Sequence, residues 1–280
     1  MLSSDDAVLL RRAGLVARRD PDEGLFPRSS WLRRVSAEPV LLLGGGRALL
    51  LEVAHPLVAA GVAEHSDFRS DPFGRLQRTL DALGAIAFGS RDVALQAVRG
   101  VERAHRRIRG RLAQDAGPFA AGTAYSGRDP ELVLWVWATL VDTAIVVYER
   151  FVEPLASRSL DAYYRDQCAV ARLLGVPAAR VPRRYAAFRG YFDGMLASDV
   201  LTVTEPARQI AERVLEARHA SARLVRGLTA GLLPPRLRAA YGLAWDPRRA
   251  ARLETLTRSV QALRGARAGS PAVDALPEPR

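Results

Sequence analysis

The sequence predicts an all-α fold, a single globular multi-helix domain with a buried central apolar helix. Three observations predict it. Apolar residues recur at threes and fours along nearly every segment, and no run of alternating β-branched residues interrupts them. Helix-start signals recur as well, at Asp71-Pro72, Ser90, Asp129-Pro130 and Glu205-Pro206. The 280 residues are 49% hydrophobic with no internal linker, which is enough for one sizeable core. The expected domain covers 1–265, and 266–280, rich in small residues and proline, is expected to be a disordered tail.

In chain order, Ser4 with Asp5 and Asp6 starts an expected helix over 4–20. Residues 21–38, with two prolines and Gly24, read as an irregular arm leading to Trp31. Gly44-Gly45-Gly46 precedes a helix expected from about Arg47. The glycine run lacks both the Lys-Ser/Thr of a phosphate loop and the spacing of a dinucleotide fingerprint, so close backbone packing is the expected role. Pro56 should kink or restart that helix after His55.

Residues 67–72 read as a polar turn, 72–88 as a helix stopped by Gly89, and 90–110 as a helix capped by Ser90. On the last of these, Ala94, Ala97, Val98, Val101, Ala104, Ile108 and Leu112 form an apolar stripe that includes His105. Arg99, Arg103, Arg106 and Arg107 lie off it. His105 is therefore expected to face inward.

Residues 115–128 read as a loop. The run Leu132–Tyr148 is apolar nearly all round, but Asp142 near its middle argues for a buried core helix over a membrane span. A buried Asp142 needs a partner, expected to be an arginine of the 75–78 cluster. Further helices are expected over 157–174, 182–197, from Glu205, across 221–245 as helix–turn–short helix, and over 247–265. The aromatics Tyr185, Phe188, Tyr191 and Phe192 follow helix periodicity and read as core. His219 reads as surface.

Composition removes several function classes. The net charge of +11 comes entirely from arginine, since the chain has no lysine, and the arginines are dispersed over nearly every segment. That pattern, without interleaved aromatics, argues against nucleic acid as a partner and leaves contact with an anionic membrane surface open. One cysteine, Cys168, excludes a disulfide framework and multi-cysteine metal sites. The first fifteen residues carry early acids and no long apolar run, so a cytoplasmic location is expected.

Two metal chemistries compete on the residues alone. Glu52-Val-Ala-His55 and Glu102-Arg-Ala-His105 are both Glu-x-x-His, a pattern that builds di-iron carboxylate sites when two further glutamates join it. The intervening helix 72–88 offers no glutamate, and its only acid is Asp81. The other chemistry is heme, for which His105 is the candidate iron ligand. Arg75, Arg78 and Thr79, spaced i, i+3, i+4, share one helix face and supply donors for heme propionates or for charge developing on bound dioxygen. A noncatalytic heme or lipid carrier remains the alternative of a different class.

The blocks GRALLLEVAHPLVAAGVAEHSDFRSDPFGRLQRT, FGSRDVALQAVRGVERAHRRIRG, DPELVLWVWATLVDT and LLPPRLRAAYGLAWDPRRAARL resemble, in order, the MpaB / rubber-oxygenase catalytic-domain family, which includes the latex-clearing proteins. The resemblance runs from about Gly46 to Arg264. It implies an all-helical fold holding heme b, with dioxygen as co-substrate and an unsaturated hydrophobic, isoprenoid- or lipid-like small molecule as substrate. By resemblance, His105 is the proximal iron ligand, and Arg75 and Thr79 form the pocket motif. Arg78 stands where a lysine closes the distal position, and being always protonated it is a poor iron ligand. The proton-transferring carboxylate is Glu64 or Glu52, Asp142 and Trp137 are expected at the pocket, and His55 is expected either to line it or to make a structural hydrogen bond. The family pattern carries histidine where Trp137 stands, so pocket shape or substrate should differ. The oxygenase reading requires His105 beside a cavity that admits a macrocycle.

Overall fold

The computed structural model describes residues 3–15, 24–66, 72–215 and 221–269; of the helical residues among these, the side chains at 72, 73, 75, 76, 221, 222 and 267–269 lie outside the description. Helices dominate it, as expected from the periodicity, and they bury one main core that extends in sequence from Leu9 to Leu243.

Helix α1 is Ser4–Ala13, with Ser3 as N-cap in a reciprocal capping box with Asp6. It is shorter than the expected 4–20 because Gly14, at φ 69°, takes the left-handed C-cap and its N–H closes onto Arg11 and Leu10. The expected arm is not wholly irregular: Ser30 caps a short helix α2, Trp31–Ser36. A 3-10 turn over Pro39–Gly44 then leads directly into α3, Gly45–Val53, so helical backbone starts before Arg47.

The glycine run is explained by packing. A Cβ on Gly44 would meet Thr143 Cγ2 at 2.6 Å and Val147 Cγ2 at 2.9 Å, and one on Gly46 would overlap the Thr229 side chain. These glycines let the chain lie directly against α7, Pro130–Phe151, and α11, Ser221–Leu232. The polypeptide turns through 109° at Ala54-His55 before α4, Pro56–His65.

Helices α5, Pro72–Phe88, and α6, Arg91–Arg107, form a hairpin across Gly89-Ser90. Pro72 and Phe88 are the expected ends. Helix α6 stops three residues earlier than expected, because Ile108 is extended and Arg109–Arg111 forms strand β1, antiparallel to β2, Ala124–Ser126. The loop expected over 115–128 thus contains a strand. Three-residue strands are too short to write an alternation pattern into the sequence.

Helix α7 is long and apolar enough to cross a membrane, yet most of it is buried here against α3, α8 (Ser157–Leu173) and the 3-10 turn. Helices α9 (Tyr185–Ala197), α10 (Glu205–Leu215), α12 (Pro235–Ala240) and α13 (Pro247–Gly269) complete the fold. Helix α13 continues past the boundary expected at 265. His219 and the turn at 67–71 lie outside the described residues.

The expected partner of Asp142 is corrected. Asp142 binds Arg47 of α3 and Arg189 of α9, not the 75–78 cluster. Arg47 also donates to Thr143 Oγ1 (2.5 Å) and to the Leu232 carbonyl (2.8 Å), tying α3, α7 and α11 together in the interior. Of the α9 aromatics, Phe188 and Phe192 are buried in the core as expected, while Tyr185 and Tyr191 pack against it half-buried. Phe188 touches Trp137, Tyr164 and Tyr185, and Phe192 stacks on Trp135.

Candidate functional site

His55 shows first what the Glu-x-x-His spacing does not deliver. Helix α3 ends at Val53, so Glu52 and His55 do not share a helix face. His55 instead caps α4: its Nδ1 accepts the Leu57 N–H at 3.3 Å, ahead of Pro56 at the first helical position. Its ring lies 5.3 Å from that of Phe119. Desolvation pushes the imidazole pKa down to about 4, against a smaller opposing pull from Asp129. The ring is therefore neutral, and its Nδ1 lone pair is already used. Among the described residues no three His, Cys, Asp or Glu side chains are grouped to share a metal ion, and the two motifs do not converge on a di-iron geometry.

The C-terminal end of α4 carries Glu64 and His65. Tyr125 of β2, itself buried, donates its hydroxyl to Glu64 Oε2 at 2.5 Å. Burial first, and then the neighbouring carboxylate, raises the Tyr125 pKa, so the phenol keeps its proton. His65 Nε2 lies 3.1 Å from the Arg109 carbonyl and 3.5 Å from the Tyr125 hydroxyl. A carbonyl only accepts, so this nitrogen carries the proton. Gly110 makes the arrangement fit, since a Cβ there would stand 2.6 Å from Tyr125 Cζ and 3.0 Å from Glu64 Oε2.

Helix α6 presents two different faces at this same end. Val98, Val101, Glu102 and His105 line a cavity of about 90 Å³, closed by Arg12, Gly127, Arg128, Val133 and the turn Leu173–Gly175. His105 is largely shielded, and desolvation lowers its pKa and favours the neutral ring. Among the described residues no group hydrogen-bonds this ring. The approach of β2–α7 from behind depends on Gly127, where a Cβ would meet the His105 carbonyl at 2.8 Å. The other face carries Arg103, Arg106 and Arg107, which with Arg109 surround an open cleft of about 500 Å³.

These dimensions test a heme directly. A neutral imidazole without a protein partner is the right donor for iron. Cofactor pockets occupy roughly 300–1,000 Å³, and the space beside His105 is far smaller. The imidazole and the cofactor-sized space lie at the same end of α6 but not in the same cavity. The donor chemistry fits; the volume beside the ring does not.

The remaining candidates divide between this end and the core. Because α5 and α6 pack as a hairpin, the N-terminal half of α5 lies at the end that carries His105. Arg78 is exposed there, Thr79 is half-buried, and the Arg75 side chain lies outside the described residues. Glu52, Trp137 and Asp142 are buried elsewhere. Trp137 sits in the aromatic core against Tyr164 and Phe188, its indole N–H without an acceptor among the described residues. Sequence reasoning missed Tyr125, Arg47 and Arg189. Nothing in their local pattern marks them, since each acquires its role from a partner dozens of residues away.

The end of α6 thus gathers the Glu64 carboxylate, the His65 and His105 imidazoles and four arginines on a predominantly helical scaffold. The sequence model of the family described as ER-bound oxygenase mpaB/B'/rubber oxygenase, catalytic domain, matches residues 32–262. The chain belongs to this family of oxygenases, whose chemistry uses dioxygen. Comparison with curated proteins and with solved structures finds no match.

Proposed function

We propose that this protein is a heme b-dependent oxygenase acting on an unsaturated, hydrophobic small molecule of isoprenoid or lipid type. Besides family membership, the observation that carries the reading is the state of His105: shielded, neutral, and without a hydrogen-bond partner among the described residues. A core histidine with a structural task normally has such a partner, as His55 does. An imidazole without one suits coordination.

A heme would supply dioxygen activation. The 90 Å³ cavity does not admit one, so the requirement of a macrocycle-sized space beside His105 is not met; the heme reading requires α1, α7 and the Leu173–Gly175 turn to move apart there, and no step is routed through the cofactor. The chain's own residues carry the rest of the reading. Glu64 is the better candidate than Glu52 for moving a proton, because it is exposed at the His105 end while Glu52 is buried in α3. The Tyr125 hydroxyl holds the Glu64 carboxylate in one orientation, and its raised pKa keeps it a donor throughout. Arg75, Arg78 and Thr79 are assigned, by the family pattern, to donate hydrogen bonds to oxygen in the pocket.

Oxygen uptake under reducing conditions tests the activity. The wild type should consume dioxygen with a polyunsaturated isoprenoid, and His105→Ala should not. Absence of uptake with every unsaturated isoprenoid and lipid supplied would leave a carrier rather than an enzyme.

A further inference from the structure

We propose that the arginine cleft at the end of α6 is an anion site that takes the diphosphate or phosphate-ester headgroup of an amphiphilic substrate. The inference rests on the oxygenase reading for the word substrate; the anion site itself does not.

Arg103, Arg106 and Arg107 stand at i, i+3 and i+4, so their guanidiniums share one helix face, and Arg109 joins them from β1. All four are exposed, and none has an ion-pair partner among the described residues. Several arginines elsewhere in this molecule do meet carboxylates, among them Arg47 with Asp142, Arg34 with Glu153, Arg150 with Glu254 and Arg264 with Glu38. Glu64, which approaches β1 at Gly110, is bonded to Tyr125 instead.

A helix C-terminus favours cations, and that alone accounts for basic residues in the last turn of α6. It does not account for Arg109, which lies beyond the helix and whose carbonyl is fixed by His65. Nor does it account for convergence on one concave space of about 500 Å³. Like charges at i, i+3 and i+4 repel along the helix, and an anion among them removes that cost. Four guanidiniums match the charge and the fork geometry of a diphosphate better than a single carboxylate. A headgroup held here would leave its apolar chain at the end of the molecule that carries His105 and Glu64.

Calorimetric titration of the full chain with inorganic pyrophosphate at physiological ionic strength tests the site. Wild type should bind saturably, and the double variant Arg106→Gln/Arg107→Gln should bind about tenfold more weakly or worse, since it removes two charge-assisted partners. The exposed pair Arg183→Gln/Arg184→Gln, on another part of the surface, should bind as wild type does. No heat with pyrophosphate, or equal weakening by the control pair, overturns the proposal. A parallel titration separates the two sources of the anion. A prenyl diphosphate binding more tightly than pyrophosphate, in an Arg106- and Arg107-dependent way, supports a substrate headgroup; equal affinity overturns that part in favour of a free anion. Arginine-dependent binding to anionic vesicles without any response to soluble diphosphate overturns it in favour of a membrane surface. Pyrophosphate binding needs no heme, so a colourless protein that binds it would end the heme reading and keep the site.

Discussion

Arg47 meets Asp142 inside the protein, Nη2 to Oδ2 at 2.5 Å, with only 4% and 2% of the two side chains exposed. Arg189 takes the other carboxylate oxygen from the half-exposed side. Replacing Asp142 with Asn removes the carboxylate that pairs with the buried Arg47 guanidinium. We predict a loss of about 3–5 kcal/mol in urea unfolding, the usual cost of breaking rather than replacing a buried pair. Arg189→Ala should cost clearly less, because Arg47 still neutralises Asp142.

His55 makes stability depend on pH. Its folded pKa of about 4 lies below the ordinary 6.5, so below pH 6.5 the unfolded chain binds a proton that the folded chain refuses. The contribution is complete above pH 6.5, is lost as pH falls towards 4, and is constant below that. It amounts to about 3 kcal/mol over that window. Thermal unfolding from pH 7 to 4 checks it. His55→Asn, which keeps a capping side chain without a titrating ring, should flatten this part of the profile.

Gly46 is a contact rather than a hinge. Gly46→Ala drives a methyl into Thr229 of α11 and should cost about 1–3 kcal/mol, the range for overpacking a core. Thr229→Ala in the same chain should recover part of the loss, since it removes Oγ1 and Cγ2 and leaves Cβ at 3.2 Å. A double-mutant cycle by chemical denaturation measures the coupling.

Tyr125→Phe deletes the hydroxyl that holds Glu64. Because Glu64 is exposed, the stability cost should be about 1 kcal/mol. With Glu64 as the proton-moving carboxylate, kcat should fall severalfold while KM stays in place, because the carboxylate loses the hydroxyl that orients it. A purely structural tyrosine would leave kcat as it is.

Much of the architecture was legible because helices announce themselves locally. Pro72 and Phe88 bound α5, Ser90 caps α6 and Asp129-Pro130 opens α7, each by residues within a turn of the boundary. The packing role of the glycine run was legible for the same reason, by the absence of any phosphate-loop chemistry around it. Long-range relationships were not. Asp142 demanded a partner, but nothing in the sequence distinguishes Arg47 and Arg189 from the other arginines. The β1–β2 pair was invisible at three residues per strand, and with it the Tyr125–Glu64 contact that it builds. His105 was legible as an inward residue, while the size of the space that it faces depends on α1, α7 and α8, far away in sequence.

The most direct test of the central claim is the absorption spectrum of the freshly expressed protein. The account predicts a Soret band that is present in wild type and absent in a folded His105→Ala variant. A protein that stays colourless after heme is supplied, or a Soret band unchanged by that substitution, would contradict it.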